Sequence, residues 1–118
     1  MRKTRRTSRV GESLRDAIVE VFRHDLKDSR LVMTSITEVE VSPDLHVARV
    51  FISGLNEEET RQIARDLNTQ SGRIRHFLGQ RIRLRVTPDL DFRYDETPAR
   101  AGRIESLLQE IKKKDDER

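Results

Sequence analysis

Between Leu31 and Ser53 the chain carries two alternating apolar runs around a short turn, and this pair constrains the fold most. In the first run, about Leu31 to Val41, Val32, Thr34 and Ile36 share one parity, whereas Val39 and Val41 take the other. Successive strand side chains point to opposite faces, so the change of phase predicts a bulge near Thr37-Glu38. Ser42-Pro43-Asp44 then makes the turn, with proline preset for a turn position. The second run, Leu45 to Ser53, sets Val47 and Phe51 on one face and Ala48, Val50 and Ile52 on the other. Apolar residues on both faces mark a central strand. A hairpin with such a strand needs another strand beside it and helices over it.

The rest of the chain supplies both. Leu14, Ala17, Ile18, Val21 and Phe22 recur at helical spacing, predicting a first helix from about Val10 to Leu26. Glu12 and Asp16 lie early in that helix, where its dipole favours acids. Asn56 with Glu59 has capping-box spacing and opens a second helix, about Glu57 to Thr69, bearing Ile63, Ala64 and Leu67. Ser71-Gly72 interrupts the pattern. A third helix follows with Ile74, Phe77 and Leu78 inward and Gly79 as its stop. Arg81 to Thr87 alternates Arg with aliphatic residues and reads as the third strand, ended by Pro88. The acid-rich stretch Asp89 to Glu96 reads as a loop. Thr97-Pro98 starts a C-terminal helix with Ile104, Leu107, Leu108 and Ile111 on one stripe, and Lys112 to Arg118 is a charged end.

Two helices between the second and third strands make a right-handed crossover and a parallel pair. The expected fold class is α+β, with helices packed on one face of a three-stranded mixed sheet. The opposite face is left open to solvent or partly covered by the C-terminal helix. The expected organisation is a flexible basic arm at 1–8, a single domain at 9–96, and the C-terminal helix and tail at 97–118.

Charge is segregated along the chain. The formal net charge is +3. Residues 1–9 nevertheless hold Arg2, Lys3, Arg5, Arg6 and Arg9 without an acid, and residues 67–88 hold Arg73, Arg75, Arg81, Arg83 and Arg85 without an acid. Residues 38–66 carry seven acids against three arginines. Such segregation steers anionic partners, nucleic acid above all. Cysteine is absent, which excludes disulfides and thiolate metal sites and fits a reducing cytoplasm. No apolar run approaches the roughly 20 residues of a membrane span. His24, His46 and His76 have no metal-ligand spacing, no phosphate loop or nucleophile elbow occurs, and Asp89, Asp91, Asp95 and Glu96 interleave with Phe92 and Tyr94 rather than forming a cation loop. These features predict no cofactor, no metal and no catalytic activity.

The strand reading puts Arg81, Arg83 and Arg85 on one face, suited to phosphate because the guanidinium fork donates two bonds. The plainer alternative is a solvated strand face that discourages edge pairing. Arg73, Arg75 and His76 follow the helix break, where free amides at Ser71 and Gly72 would also favour an anion. Gly72 is expected to set the angle between the two helices, so that Gly72→Val would distort it. The arm residues Arg2, Lys3, Arg5, Arg6 and Arg9 complete the predicted RNA-binding set.

The order of elements matches the second KH topology, although the GXXG clamp of that fold is absent and the junction reads Gln70-Ser71-Gly72. The chain further carries, in order, Lys27-Asp28-Ser29-Arg30, Thr34-Ser35-Ile36-Thr37-Glu38-Val39-Glu40-Val41-Ser42, Asp44-Leu45, Ala48-Arg49-Val50-Phe51-Ile52-Ser53, Ser71-Gly72-Arg73-Ile74-Arg75, Leu84-Arg85-Val86-Thr87-Pro88-Asp89-Leu90-Asp91-Phe92 and Asp95. In these pieces, their order and their spacing it resembles the bacterial ribosome-binding factor A family. Gln70 departs from the family's Ala-X-Gly junction, and Ser29 stands where proline is common. The resemblance implies a monomeric, non-enzymatic factor of the cytoplasm. It would bind the free small ribosomal subunit and its rRNA, assist late maturation and rRNA end processing, and support growth in the cold. The alternatives are a general single-stranded RNA- or DNA-binding KH-like module, and an adaptor for a basic protein.

Overall fold

The computed structural model of the chain describes residues 3–97. Helix α1 spans Arg5–Glu20. Thr4 and Thr7 cap its start reciprocally, Thr7 N–H donating to the Thr4 hydroxyl and Thr4 N–H to Thr7 Oγ1. The helix therefore begins five residues before the predicted Val10. Arg5, Arg6 and Arg9 belong to it rather than to a free arm. Glu12 and Asp16 fall in its middle, and its first turn holds no acid. The helix widens into a π turn over Val21–Asp25 and stops at Leu26, whose N–H donates to Val21 O. Leu14, Ile18, Val21 and Phe22 of the predicted stripe are buried.

Residues Ser29–Met33 form a 3₁₀ turn capped by Asp28, so strand β1 covers only Ser35–Val41. The expected bulge is present, as the register shifts between Ile36 and Glu38. Strand β2, Val47–Ser53, is the central strand of the three-stranded sheet. The connecting turn bonds Leu45 N–H to Ser42 O, and Leu45 takes a left-handed φ of 63°. Helix α2 covers Glu57–Thr69, with Asn56 accepting from Glu59 N–H, and α3 covers Ser71–Arg81.

The third strand differs from the prediction. The strand parallel to β2 is β3, Asp89–Tyr94, the stretch expected to be a loop. Residues 82–88, expected as the strand, form an irregular connection. Gly79 does not stop α3, which runs on to Arg81. Pro88 precedes the strand instead of ending it. Both segments alternate in burial, but β3 delivers the larger side chains. Leu90 and Phe92 enter the core, and Phe92 stacks on Phe22 at 6.1 Å between ring centroids. Ile82 and Leu84 only pack against the core's margin.

The outer edge of β3 is closed by a side chain. Asn68 of α2 donates to Phe92 O at 2.9 Å and accepts from Phe92 N–H at 2.7 Å, as a neighbouring strand would. The α+β class with a mixed three-stranded sheet is thus observed, while the predicted C-terminal helix lies outside the described residues. Gly11 sets how closely α1 approaches β1. A Cβ there would meet Val39 O at 2.6 Å, so only glycine fits without a shift.

Candidate nucleic-acid interface

The five arginines of the 67–88 block do not share one face. Arg81 lies at the end of α3 and donates from Nε and Nη2 to the two Asp25 oxygens, at 2.7 and 3.0 Å. This fork pins the C-terminus of α3 to the π turn. It also holds the Asp25 carboxyl below its usual range and raises the Arg81 guanidinium. Arg75 turns towards the far end of the connection. It donates to Pro88 O at 3.1 Å and Thr87 O at 2.8 Å, and it pairs with Asp89 at 3.2 Å.

Residues 82–88 are therefore fastened at both ends by arginines. Between the fastenings Ile82 and Leu84 turn inward, while Arg83 and Arg85 stand exposed with no partner among the described residues. The in–out alternation that suggested a strand face survives, but it orients a fastened loop. Arg81 is removed from the proposed phosphate face by its engagement with Asp25. Arg75 positions the loop rather than facing outward.

Arg73 is exposed on α3, with Phe77 beneath its guanidinium at 5.4 Å and no acid bound to it among the described residues. It shares an open cleft of about 390 Å³ with Lys27, Ser29, Arg30 and Gln70. Lys27 is exposed and unpaired among the described residues, and it is absent from the RNA-binding set expected from the sequence. The only signal for its position is tertiary: the segment after the π turn folds against the α2–α3 junction. Arg30 is held by Asp28 (2.7 Å) and Asp66 (2.9 Å), which leaves its charge compensated. Those bonds raise the Arg30 pKa and lower that of Asp28.

Ser71 is half-buried at the first position of α3, whose preceding residue Gln70 makes no side-chain cap. The three amides of Ser71, Gly72 and Arg73 precede the first helical bond, from Ile74 N–H to Gln70 O. Gly72 has no positive φ, and a Cβ built on it meets nothing within 4 Å. The expectation that Gly72 sets the interhelical angle is therefore wrong: the turn resides in Gln70, at φ −104° and ψ 12°. His76 is exposed, with Nε2 3.4 Å from Gln80 Nε2.

At the other predicted site, Lys3 forms an ion pair with Glu38. Arg5, Arg6 and Arg9 are exposed and unpaired among the described residues. Arg5 and Arg6 occupy the first turn of α1, where the helix end is itself positive. That end of the molecule thus projects a concentrated positive field. Arg2 lies outside the described residues. Among the described residues no cluster of His, Cys, Asp or Glu is arranged to hold a metal ion, and no helix is long and apolar enough to cross a membrane.

The sequence profile of the Ribosome-binding factor A family matches residues 6–108. The chain belongs to that family. The ribosome-binding factor A of Coxiella burnetii is 39% identical over 113 residues, which cover 96% of this chain and 95% of the relative. That of Thermodesulfovibrio yellowstonii is 37% identical over 117 residues, covering 99% of both chains. The crystal structure of ribosome-binding factor A from Thermus thermophilus superposes with a TM-score of 0.65 at 28% identity, covering 75% of this chain and 94% of that one. Coordinates of the Thermus thermophilus factor fitted into a cryo-EM map of its 30S complex match with a TM-score of 0.61 at 29% identity, over 73% of this chain and 91% of that one. The family match spans α1 through β3, so the fastened loop and the α2–α3 cleft both lie on the shared frame.

Proposed function

We propose that the protein binds the free small ribosomal subunit and assists its late maturation, including processing of the rRNA ends. It acts in the cytoplasm as a monomer, without a catalytic step, and supports growth in the cold. The observation that carries this reading is the family match along nearly the whole chain, joined to a Thermus thermophilus relative of the same fold fitted in a complex with the 30S. The distribution of unpaired arginines supports it. Arg73, Arg83 and Arg85 present guanidiniums that pair with no acid among the described residues, and Arg5, Arg6 and Arg9 do so at the start of α1. Guanidiniums left unpaired on rigid supports suit phosphates, which they bind through two parallel bonds.

The test is co-sedimentation of the purified protein with free small subunits, with whole ribosomes, and with unrelated single-stranded RNA as competitor. Retention on free small subunits, undiminished by the competitor, is the expected result. Replacing Arg73, Arg83 and Arg85 together by Glu is expected to abolish retention without lowering the melting temperature. Displacement by any single strand would instead favour a general RNA-binding module.

A further inference from the structure

Charge along α1 runs against what helix stability alone would choose. Arg5 and Arg6 occupy the positive end of the helix, and Glu12, Asp16 and Glu20 fall beyond its first turn, where the dipole does not favour them. Arg5 with Arg9, Glu12 with Asp16, and Asp16 with Glu20 are also like charges four residues apart, an arrangement that weakens a helix. Steps of three and four residues put Arg5, Arg9, Glu12, Asp16 and Glu20 on one side of α1, which thus reads basic and then acidic. All but the half-buried Glu20 are exposed. The acids are unevenly compensated. Glu20 is met by His24 at 3.1 Å and Arg23 at 3.8 Å, Asp16 by Arg15 at 3.9 Å, and Glu12 by no base among the described residues.

Beyond the acids the surface turns basic again. The π turn ends at Asp25, which the Arg81 fork ties to the end of α3, and Arg83 stands two residues past Arg81. Lys27 follows Asp25 by two residues and shares its cleft with Arg73. At about 1.5 Å of rise per residue, the 16 residues of α1 hold the two basic ends about 24 Å apart. Both ends belong to one body, because Leu14, Ile18, Val21 and Phe22 seat the helix in the core and the Thr4–Thr7 cap fixes its first turn. The amides of that turn are already engaged, Thr7 N–H by Thr4 Oγ1 and Ser8 N–H by Thr4 O, so the guanidiniums are what this end offers an anion. A phosphate backbone laid along the helix from one basic end to the other would cross Glu12 and Asp16 and be repelled. Two backbone segments brought side by side by RNA folding would not.

We infer that the protein grips two separate backbone segments of a folded RNA, one at each end of α1, and that Glu12 and Asp16 hold a continuous strand off the helix between them. This deepens the proposed function and rests on its RNA reading. The first arm measures the full chain and Glu12→Gln/Asp16→Asn against free small subunits and against a single-stranded RNA long enough to run the length of α1. Both acids are exposed, so the variant is expected to melt as the wild type does. It is expected to bind the single strand about five-fold more tightly at about 0.1 M salt, the worth of one further phosphate contact, while subunit affinity changes less than about two-fold. The gain is expected to fade as salt rises. Unchanged affinity for the single strand, or an equal gain on both probes, would overturn the inference.

The second arm places a photo-reactive side chain at Ser8, and separately at Val86, in the full chain mixed with small subunits. Both positions are exposed and leave every arginine in place. Cross-links to two stretches of rRNA far apart in its sequence support the inference. Cross-links from both positions to one continuous stretch, cross-links to a subunit protein instead of rRNA, or silence at either position while the protein is retained on subunits, overturn it. Absence of any retention on subunits counts against the proposed function, and the single-strand titration then decides the role of Glu12 and Asp16 alone.

Discussion

Replacing arginines one class at a time separates those proposed to meet phosphate from those that hold the fold. The 67–88 block contains five arginines, but Arg81 is engaged by Asp25 and Arg75 by Thr87 O, Pro88 O and Asp89. Three guanidiniums remain, those of Arg73, Arg83 and Arg85. Each phosphate contact releases condensed counterions and contributes about −0.7 to −0.9 to the slope of log K against log salt concentration. The variant Arg73→Gln/Arg83→Gln/Arg85→Gln should therefore flatten the slope by about 2 to 3 while leaving the melting temperature alone. Arg81→Gln should do the reverse, lowering the melting temperature and leaving the slope unchanged. Arg75→Gln should remove bonds to two backbone carbonyls, at a cost of about 1 to 3 kcal/mol. It should also weaken binding uniformly across salt, because a loosened loop must be reordered on contact. The assay is subunit binding by biolayer interferometry over a salt series, paired with thermal melts. If Arg75→Gln and Arg81→Gln flatten the slope as much as the triple variant, the division into presented and engaged arginines is wrong.

Three further outcomes follow from local geometry. Gly11→Ala puts a methyl 2.6 Å from Val39 O; overpacking of about 1 to 3 kcal/mol exceeds the helix gain of about 1 kcal/mol, so urea unfolding should show a net loss. Gly72→Ala meets nothing and sits in a helix, so it should add about 0.4 to 1 kcal/mol, with subunit binding intact. The Arg30 bonds depress the folded pKa of Asp28 below the 3.8 of a free carboxylate. Stability from this pair is therefore present above pH 3.8 and lost as pH falls through the lower folded value. The difference in melting temperature between the wild-type protein and Asp28→Asn should shrink across that acidic window and stay level above it.

The hairpin, its bulge and α2 were legible because each is specified locally, by residue parity, by a turn proline and by the Asn56 cap. The position of the third strand was not. Arg81–Val86 and Asp89–Tyr94 both alternate, and periodicity cannot rank two adjacent alternating segments. What ranks them is volume and edge satisfaction. Phe92 fills the space against Phe22, and Asn68 supplies the bonds that the outer edge of β3 lacks. Neither Phe22 nor Asn68 lies near β3 in sequence. The early start of α1 was hidden for a related reason. Arg5 and Arg6 are poor choices for a first helical turn, and only the reciprocal Thr4–Thr7 cap makes that turn favourable.

The same limit governs the site. An acid-free block reports how many cations a segment carries, not how many face outward. Availability is decided by acids and carbonyls on other elements: Asp25 on the π turn, Asp89 at the start of β3, and the carbonyls of Thr87 and Pro88. The engaged arginines are not idle for that reason. Arg81 and Arg75 fix the two ends of residues 82–88, and Ile82 and Leu84 pack against the core's margin between them. Arg83 and Arg85 are then held outward before any ligand arrives, which reduces the ordering cost of binding. A regular strand would have aimed three guanidiniums along one line. The fastened loop presents two, leaves a third on α3 beside the Lys27 cleft, and converts the other two into the support. The binding surface we propose is therefore discontinuous, suited to folded RNA rather than to a groove along one extended strand.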